Sequence, residues 1–382
     1  MKKFFIVIIC MLMISGSYQD QALHWKLVEY RAKGQIVHMH AWGGSEKINK
    51  YLHWLSTRLL KEYGVTLKHV KINDPADLLP VFMRQKKAGR NSNGEVDILW
   101  VNGETFKKMK QHRLLAKPFS TRLPNWVLVN KSLPVDTDFS EPTLGLEVPW
   151  GIGQLLFIYD ENQVNTPPKS FSELLSYAKL SPNKLTYPKP PSFLGSSFLK
   201  AALLELSTDK NPLYQEVDPE TFQQFSAPLW SYLDKFHDVA WQQGKEFPAG
   251  SAQMIKLLND GALDLALTFN PNEVLSAQAN GSLNSSTQIY AFTSGALTQA
   301  HFLTIPWNAN TEAGALVAIN FMLSPEAQSV KGEFSVWGDP TILAPQYVTG
   351  IAKKTKLFKP IAEPHSSWQN ALNNEWLQRY DD

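Results

Sequence analysis

Four times along this chain a short apolar run suited to a strand leads through a turn of glycine, asparagine or serine into a helical pattern. The first instance is the fullest. Gln35–Ala41 reads as a strand, Trp42-Gly43-Gly44-Ser45 as a tight turn, and Glu46–Tyr63 as a helix with Ile48, Leu52, Leu55 and Leu59 at helical spacing. The others run from Val96–Val101 into Asn102-Gly103-Glu104, from Lys184–Tyr187 into Gly195-Ser196-Ser197, and from Leu263–Phe269 into Asn270-Pro271-Asn272. Strands that alternate with helices point to parallel-rich α/β sheets flanked by helices, in which ligands gather beyond the carboxyl ends of the strands. The turn chemistry agrees: glycine allows close backbone approach, a serine caps the helix, and the helix's free amides are left facing polar or anionic groups.

At 382 residues the chain exceeds what one hydrophobic core usually supports, so two lobes facing each other across a cleft are expected. The opening segment stands apart. Lys2 and Lys3 precede the apolar run Phe4–Ile14, followed by Ser15, Gly16 and Ser17, which is a secretory signal pattern covering residues 1–17 with cleavage near Tyr18. The run is too short for a permanent membrane span, so an exported periplasmic chain is expected. Cys10, the chain's one cysteine, lies inside that run. The mature chain therefore has no disulfide, no thiol nucleophile and no thiolate metal site. Removing Lys2 and Lys3 leaves 37 − 2 = 35 basic residues against 35 acidic ones, and a net charge of zero offers nucleic acid no basic field.

The remaining chain divides at two places. Residues 118–142 are proline-punctuated and lack strong periodicity, and Glu147–Gly153 then leads into a strand-like stretch ending at Tyr159. A first crossing into a second lobe is expected there. The helical stretch Thr311–Met322, followed by Ser324-Pro325-Glu326, reads as the return. Lobe 1 is thus expected to comprise residues 24–146 and 300–346, and lobe 2 residues 147–299. Residues 347–382 form a helical tail packing on both.

In this order the residues resemble a known family, the extracellular solute-binding proteins of bacterial ABC importers, which have the two-lobed type-II periplasmic-binding fold. The resemblance is carried by Val37-His-Met-His-Ala-Trp-Gly-Gly44, Val96-Asp-Ile-Leu-Trp-Val-Asn-Gly103 and Val148-Pro-Trp-Gly151. It continues through Pro167-Pro-Lys-Ser-Phe-Ser-Glu-Leu-Leu175, Leu257-Leu-Asn-Asp-Gly-Ala-Leu-Asp-Leu-Ala266 and Ala318-Ile-Asn-Phe-Met-Leu-Ser-Pro-Glu-Ala-Gln328. Within the family the chain looks most like a subgroup of thiamine-type or spermidine-type binding components. The resemblance implies a ligand held between the lobes by loops after strands, hinge closure over it, and delivery to a membrane permease that works with a separate ATPase subunit. It implies a monomer that needs no cofactor.

Trp42, Gly43, Gly44 and Ser45 match the family's first ligand-contacting loop, although the glycines equally make a plain turn and Trp42 equally packs between lobes. Asn102 and Gly103 stand likewise, with Asn102 also a candidate helix cap. Trp150 at the crossing could stack on a planar or cationic ligand, or simply fill the core. In the second lobe Ser192, Gly195 and Ser196 would offer hydroxyl and amide donors, with Asn270 opposite. Glu104 could neutralise a cation, or serve its own helix dipole. His38 and His40 share one strand face, but two ligands do not complete a metal site, and the tyrosine pair of ferric-ion binders is missing. An exported hydrolase is the competing reading, against which stand the absences of Gly-x-Ser-x-Gly, His-Glu-x-x-His and a phosphate loop. A ligand-sensing receptor component without transport remains a third.

Overall fold

A computed structural model describes residues 23–101 and 103–381; the expected signal segment and Asn102 lie outside the described residues. A helix over residues 23–32 leads into β1 (Ile36–Trp42), the helix Glu46–Tyr63 and β2 (Thr66–Ile72). The helix forms where expected and for the expected reasons. Ser45 caps its start by accepting from the Ile48 amide, Gly64 ends it at φ 67°, and Ile48, Tyr51, Leu52, Leu55 and Leu59 form its buried stripe. It covers the sheet in which β1 pairs in parallel with β2 and with β3 (Ile98–Val101).

Two short strands, β4 (Thr137–Asp138) and β5 (Glu141–Pro142), form a hairpin before β6 (Glu147–Gln154). β6 was expected to open the second lobe. It instead pairs antiparallel with β10 (Ala296–Thr304), from Glu147 opposite Thr304 to Gln154 opposite Thr298, and buries Val148, Trp150 and Ile152 in the same core as β1. The chain leaves that sheet only at Leu155, one residue before β7 (Leu156–Asp160). With no helix between them, β6 and β7 enter different sheets directly. The larger sheet runs β11-β10-β3-β1-β2, with β6 on the other side of β10, where β11 is Pro360–Ala362.

The smaller sheet, β8-β7-β9, is antiparallel throughout, with β8 at Ala266–Thr268 and β9 at Thr287–Tyr290. The α/β class and the two-lobed architecture hold, but among the named strands of the described residues only β1–β2, β1–β3 and β10–β11 pair in parallel. Lys184–Tyr187 makes no strand. Its carbonyls accept from separate segments, Lys184 from the Asp264 amide and Leu185 from that of Trp241, so no single neighbour completes a ladder. A second core forms around this sheet from Phe157, Phe171, Phe198, Leu233 and Leu265, and it takes in Trp368, Leu372 and Trp376 of the C-terminal helix Ser366–Tyr380. Val348 and Ala352, from the same expected tail, belong instead to the first core. No helix among the described residues is long and apolar enough to cross a membrane.

Candidate functional site

The loop after β1 is built by close packing. A Cβ on Gly44 would fall 2.5 Å from the Trp42 ring, and one on Gly43 would fall 2.6 Å from the Lys71 side chain. The glycines therefore let Trp42 fold back over its own loop, where it stays 45% exposed. The Gly43 carbonyl accepts from Asn49 Nδ2 at 3.0 Å. Gly103, which opens the helix Gly103–Gln111, faces Phe139, 2.5 Å from where its Cβ would lie. Its neighbour Asn102 is outside the described residues.

Trp150 is fully buried and presents no face to solvent. Its role is that of a platform: Trp100 stands edge-on to it at 5.2 Å, Trp337 lies tilted at 5.3 Å, and its indole N–H finds no acceptor. Trp100 and Trp337 are only partly buried, and His301 joins them, 5.6 Å from Trp100 and nearly parallel to Trp337 at 6.4 Å. Three rings from β3, β10 and the loop after the helix Pro325–Gly332 thus form one aromatic wall.

A buried ion pair fixes that wall from behind. Lys331, without solvent exposure, donates from Nζ to Asp339 Oδ2 at 2.5 Å, to the Trp150 carbonyl at 2.6 Å and to the Pro340 carbonyl at 2.9 Å. Burial pushes the Asp339 carboxyl up, but Lys331 and His301 outweigh it and hold it below the usual carboxylate range. The other Asp339 oxygen, Oδ1, lies 3.2 Å from His301 Nε2. Gly151 makes room for this arrangement, since a Cβ there would fall 2.2 Å from Asp339 Oδ2.

Segment 269–272, after β8, closes against the wall. Asn272 Nδ2 donates to the Gly338 carbonyl at 3.1 Å, the Gln154 amide donates to the Phe269 carbonyl at 3.0 Å, and Phe269 lies over Gly153, 2.5 Å from where its Cβ would be. Phe193 packs edge-on against Phe269 at 4.7 Å and is 49% exposed. The remaining second-lobe candidates have structural partners. Ser192 Oγ accepts from the Gly195 amide at 3.2 Å, and Ser196 Oγ donates to Asn373 Oδ1 at 2.8 Å while buried. Gly195 abuts the Pro188 carbonyl, and Asn270 Oδ1 accepts from the Asn272 amide at 2.9 Å. Glu273, at the start of the next helix, has its carboxyl pushed up by burial, an effect opposed by its bond to Thr268 and by Lys47 of the helix after β1.

Of the two histidines on β1, His38 is tied to Asp97, whereas His40 is buried with no partner for its Nδ1. The His38 amide donates to Asp97 Oδ2 at 2.9 Å, while the Asp97 Oδ1 accepts from the Thr311 amide. Burial pushes the His40 ring's pKa down. Among the described residues no group of three or more His, Cys, Asp or Glu side chains could hold a metal ion. Glu104 pairs with Lys108 along its own exposed helix face.

This architecture now meets its relatives. A model of bacterial extracellular solute-binding proteins matches residues 54–342. The chain belongs to that family. The solute-binding protein is 43% identical to the Escherichia coli K12 protein YnjB over 371 residues, 95% of this chain and 96% of the relative. Its fold resembles that of the Streptococcus pneumoniae spermidine/putrescine ABC transporter substrate-binding protein PotD, with a TM-score of 0.64 and 17% identity over 91% of this chain and 98% of that one. It also resembles the apo ferric ion-binding protein A of Pasteurella haemolytica, with a TM-score of 0.62 and 12% identity over 91% and 98% of the two chains. Membership of a solute-binding family makes this chain a binding protein rather than an enzyme.

Sequence reasoning placed the loop after β1 and the segment at 269–272, but missed Trp337, His301, Asp339 and Phe193. Trp100 lay within a strand already singled out, and the run Trp337-Gly338-Asp339-Pro340 carries turn chemistry. Neither pattern says which way a ring faces.

Proposed function

We propose that this protein captures a small solute between its two lobes and delivers it to a membrane permease driven by a separate ATPase subunit. The observation that carries the proposal is the aromatic wall of Trp100, His301 and Trp337, to which segment 269–272 is tied through Asn272 and the Gly338 carbonyl. Such rings suit a planar or cationic solute, since each stacking or cation–π contact is worth about 1 kcal/mol. The chain's resemblance suggests a thiamine-like or polyamine-like cation, of which the thiamine-like one has a planar face to stack. The exposed Trp42, with Gly43, Gly44 and Ser45, would cover one end, and the backbone at Asn102 and Gly103 would lie beside it. The protein acts in the periplasm as a monomer after removal of residues 1–17. Residues 155–297 with the C-terminal helix form the lobe that closes toward the remainder.

The test is a thermal-shift screen of the purified protein against vitamins, polyamines, sugars, amino acids and oxyanions, because a ligand that binds only the folded state raises its melting temperature. A shift confined to one chemical class, lost in Trp337→Ala and weakened in Trp42→Ala, supports the proposal. A flat screen, with nothing co-purifying by native mass spectrometry, refutes it. A sensing role without transport would keep the shift but show no ligand-dependent binding to permease in membranes.

A further inference from the structure

The wall's imidazole is held in a defined hydrogen-bonding state by a chain of buried charges. Lys331 donates to three oxygens and fixes Asp339 through Oδ2; Asp339 turns Oδ1 toward His301 Nε2. A carboxylate in that position requires a hydrogen on Nε2, so in the neutral ring the other nitrogen, Nδ1, carries a lone pair. The His301 side chain is 26% exposed, and among the described residues Nδ1 has no protein partner. In that neutral form an acceptor sits at the rim of a surface of indole rings. The charge balance points the same way. Both Asp339 oxygens are engaged and Lys331 cancels its charge. That carboxylate leaves no spare negative charge for a flexible polycation, which has no flat face to stack.

Building on the solute-binding reading above, we infer that the cleft selects planar nitrogen heterocycles bearing an amine or ring N–H donor, stacked against Trp100 and Trp337 and read by His301 Nδ1. His301 is the specificity-determining residue, and Asp339 and Lys331 are positioning residues acting through it. An aliphatic polyamine is disfavoured at the same site, having neither a face to stack nor a free carboxylate to meet.

The matched probes are 9-methyladenine and 9-methylpurine, which differ by one exocyclic amine, with spermidine as the aliphatic cation. Binding is read by calorimetry and by quenching of tryptophan fluorescence. The wild-type protein should bind 9-methyladenine about fivefold to tenfold more tightly than 9-methylpurine, the contribution of one neutral hydrogen bond. In His301→Phe the preference should fall to within about twofold. His301→Gln, which offers an amide oxygen, should restore part of it. If the variants fail to fold, 15N-labelled histidine in the wild type decides: the His301 Nδ1 resonance must shift with 9-methyladenine and not with 9-methylpurine. Equal affinity for the two purines, or a preference that survives in His301→Phe, overturns the inference. Binding of spermidine or another solute with neither purine bound also overturns it, yet leaves the solute-binding reading standing. No binding by any probe, together with a flat thermal-shift screen, sinks both.

Discussion

His237 lies at one end of a buried hydrogen-bond chain that ties the C-terminal helix to the second core. Trp376 Nε1 donates to Tyr187 Oη at 2.7 Å, and Tyr187 Oη lies 2.7 Å from His237 Nε2. With its oxygen already accepting, the tyrosine hydroxyl donates to a neutral imidazole. Burial pulls the His237 pKa from 6.5 down to about 4, against the opposing pull of Asp234 and Asp238. The folded state therefore binds fewer protons than the unfolded chain across that interval. The stability contributed by neutral His237 is complete above pH 6.5 and is lost as the pH falls toward 4. The interval of about 2.5 units, at 1.36 kcal/mol each, amounts to about 3 kcal/mol. His237→Gln keeps an acceptor for Tyr187 and removes the titration, so urea unfolding of both proteins at pH 7, 5.5 and 4 isolates the effect. Wild-type stability should drop relative to the variant by about 3 kcal/mol between pH 7 and pH 4. A difference that stays flat, or a folded-state His237 titrating near 6.5 by NMR, would refute the assigned burial and hydrogen-bond chain.

Other perturbations follow from the same accounting. Glu147 is buried with no partner on either oxygen, and burial, then Asp138, push its pKa well up. A raised folded pKa means stability that is present at low pH and lost as the pH rises, so Glu147→Met should raise the melting temperature at pH 8 and do so less at pH 4.5. Lys331→Met strands the Asp339 carboxylate and should cost about 3 to 5 kcal/mol in chemical denaturation, partly recovered by adding Asp339→Asn. Gly195→Ala drives a Cβ to within 2.2 Å of the Pro188 carbonyl and should cost about 1 to 3 kcal/mol, with no change in ligand preference among molecules that still fold.

Much of the fold was legible because it rests on signals that act locally. The helix Glu46–Tyr63 has a cap, a stripe and a terminating glycine, and each acted as its residue type dictates. The direction of the strands was less legible. Periodicity identifies a strand but not its neighbour, and the single residue between β6 and β7 replaces the helix that parallel pairing would need. The expected strand at Lys184–Tyr187 failed for the same reason: its backbone is satisfied, but by two segments distant in sequence from each other.

The junctions were legible in the sequence and the chemistry beside them largely was not, and the cause lies in what makes a junction recognisable. Glycine, serine and asparagine mark a strand-to-helix turn because the turn consumes them. Ser192 caps its helix, Gly195 admits the Pro188 carbonyl, Asn270 holds the Asn272 amide, and Gly44 admits Trp42. Groups so engaged have little left for a ligand. The rings that remain available come from strands (Trp100, His301), a loop (Trp337) and the first turn of a helix (Phe193), where no local rule demands their type. Their facing is set by pairing across β3, β10 and β6 and by the Lys331–Asp339 pair, which are contacts between residues far apart in sequence. Substituting the junction residues should therefore test folding, whereas substituting the rings should test recognition; a Trp337→Ala variant with an unchanged ligand profile would break that division.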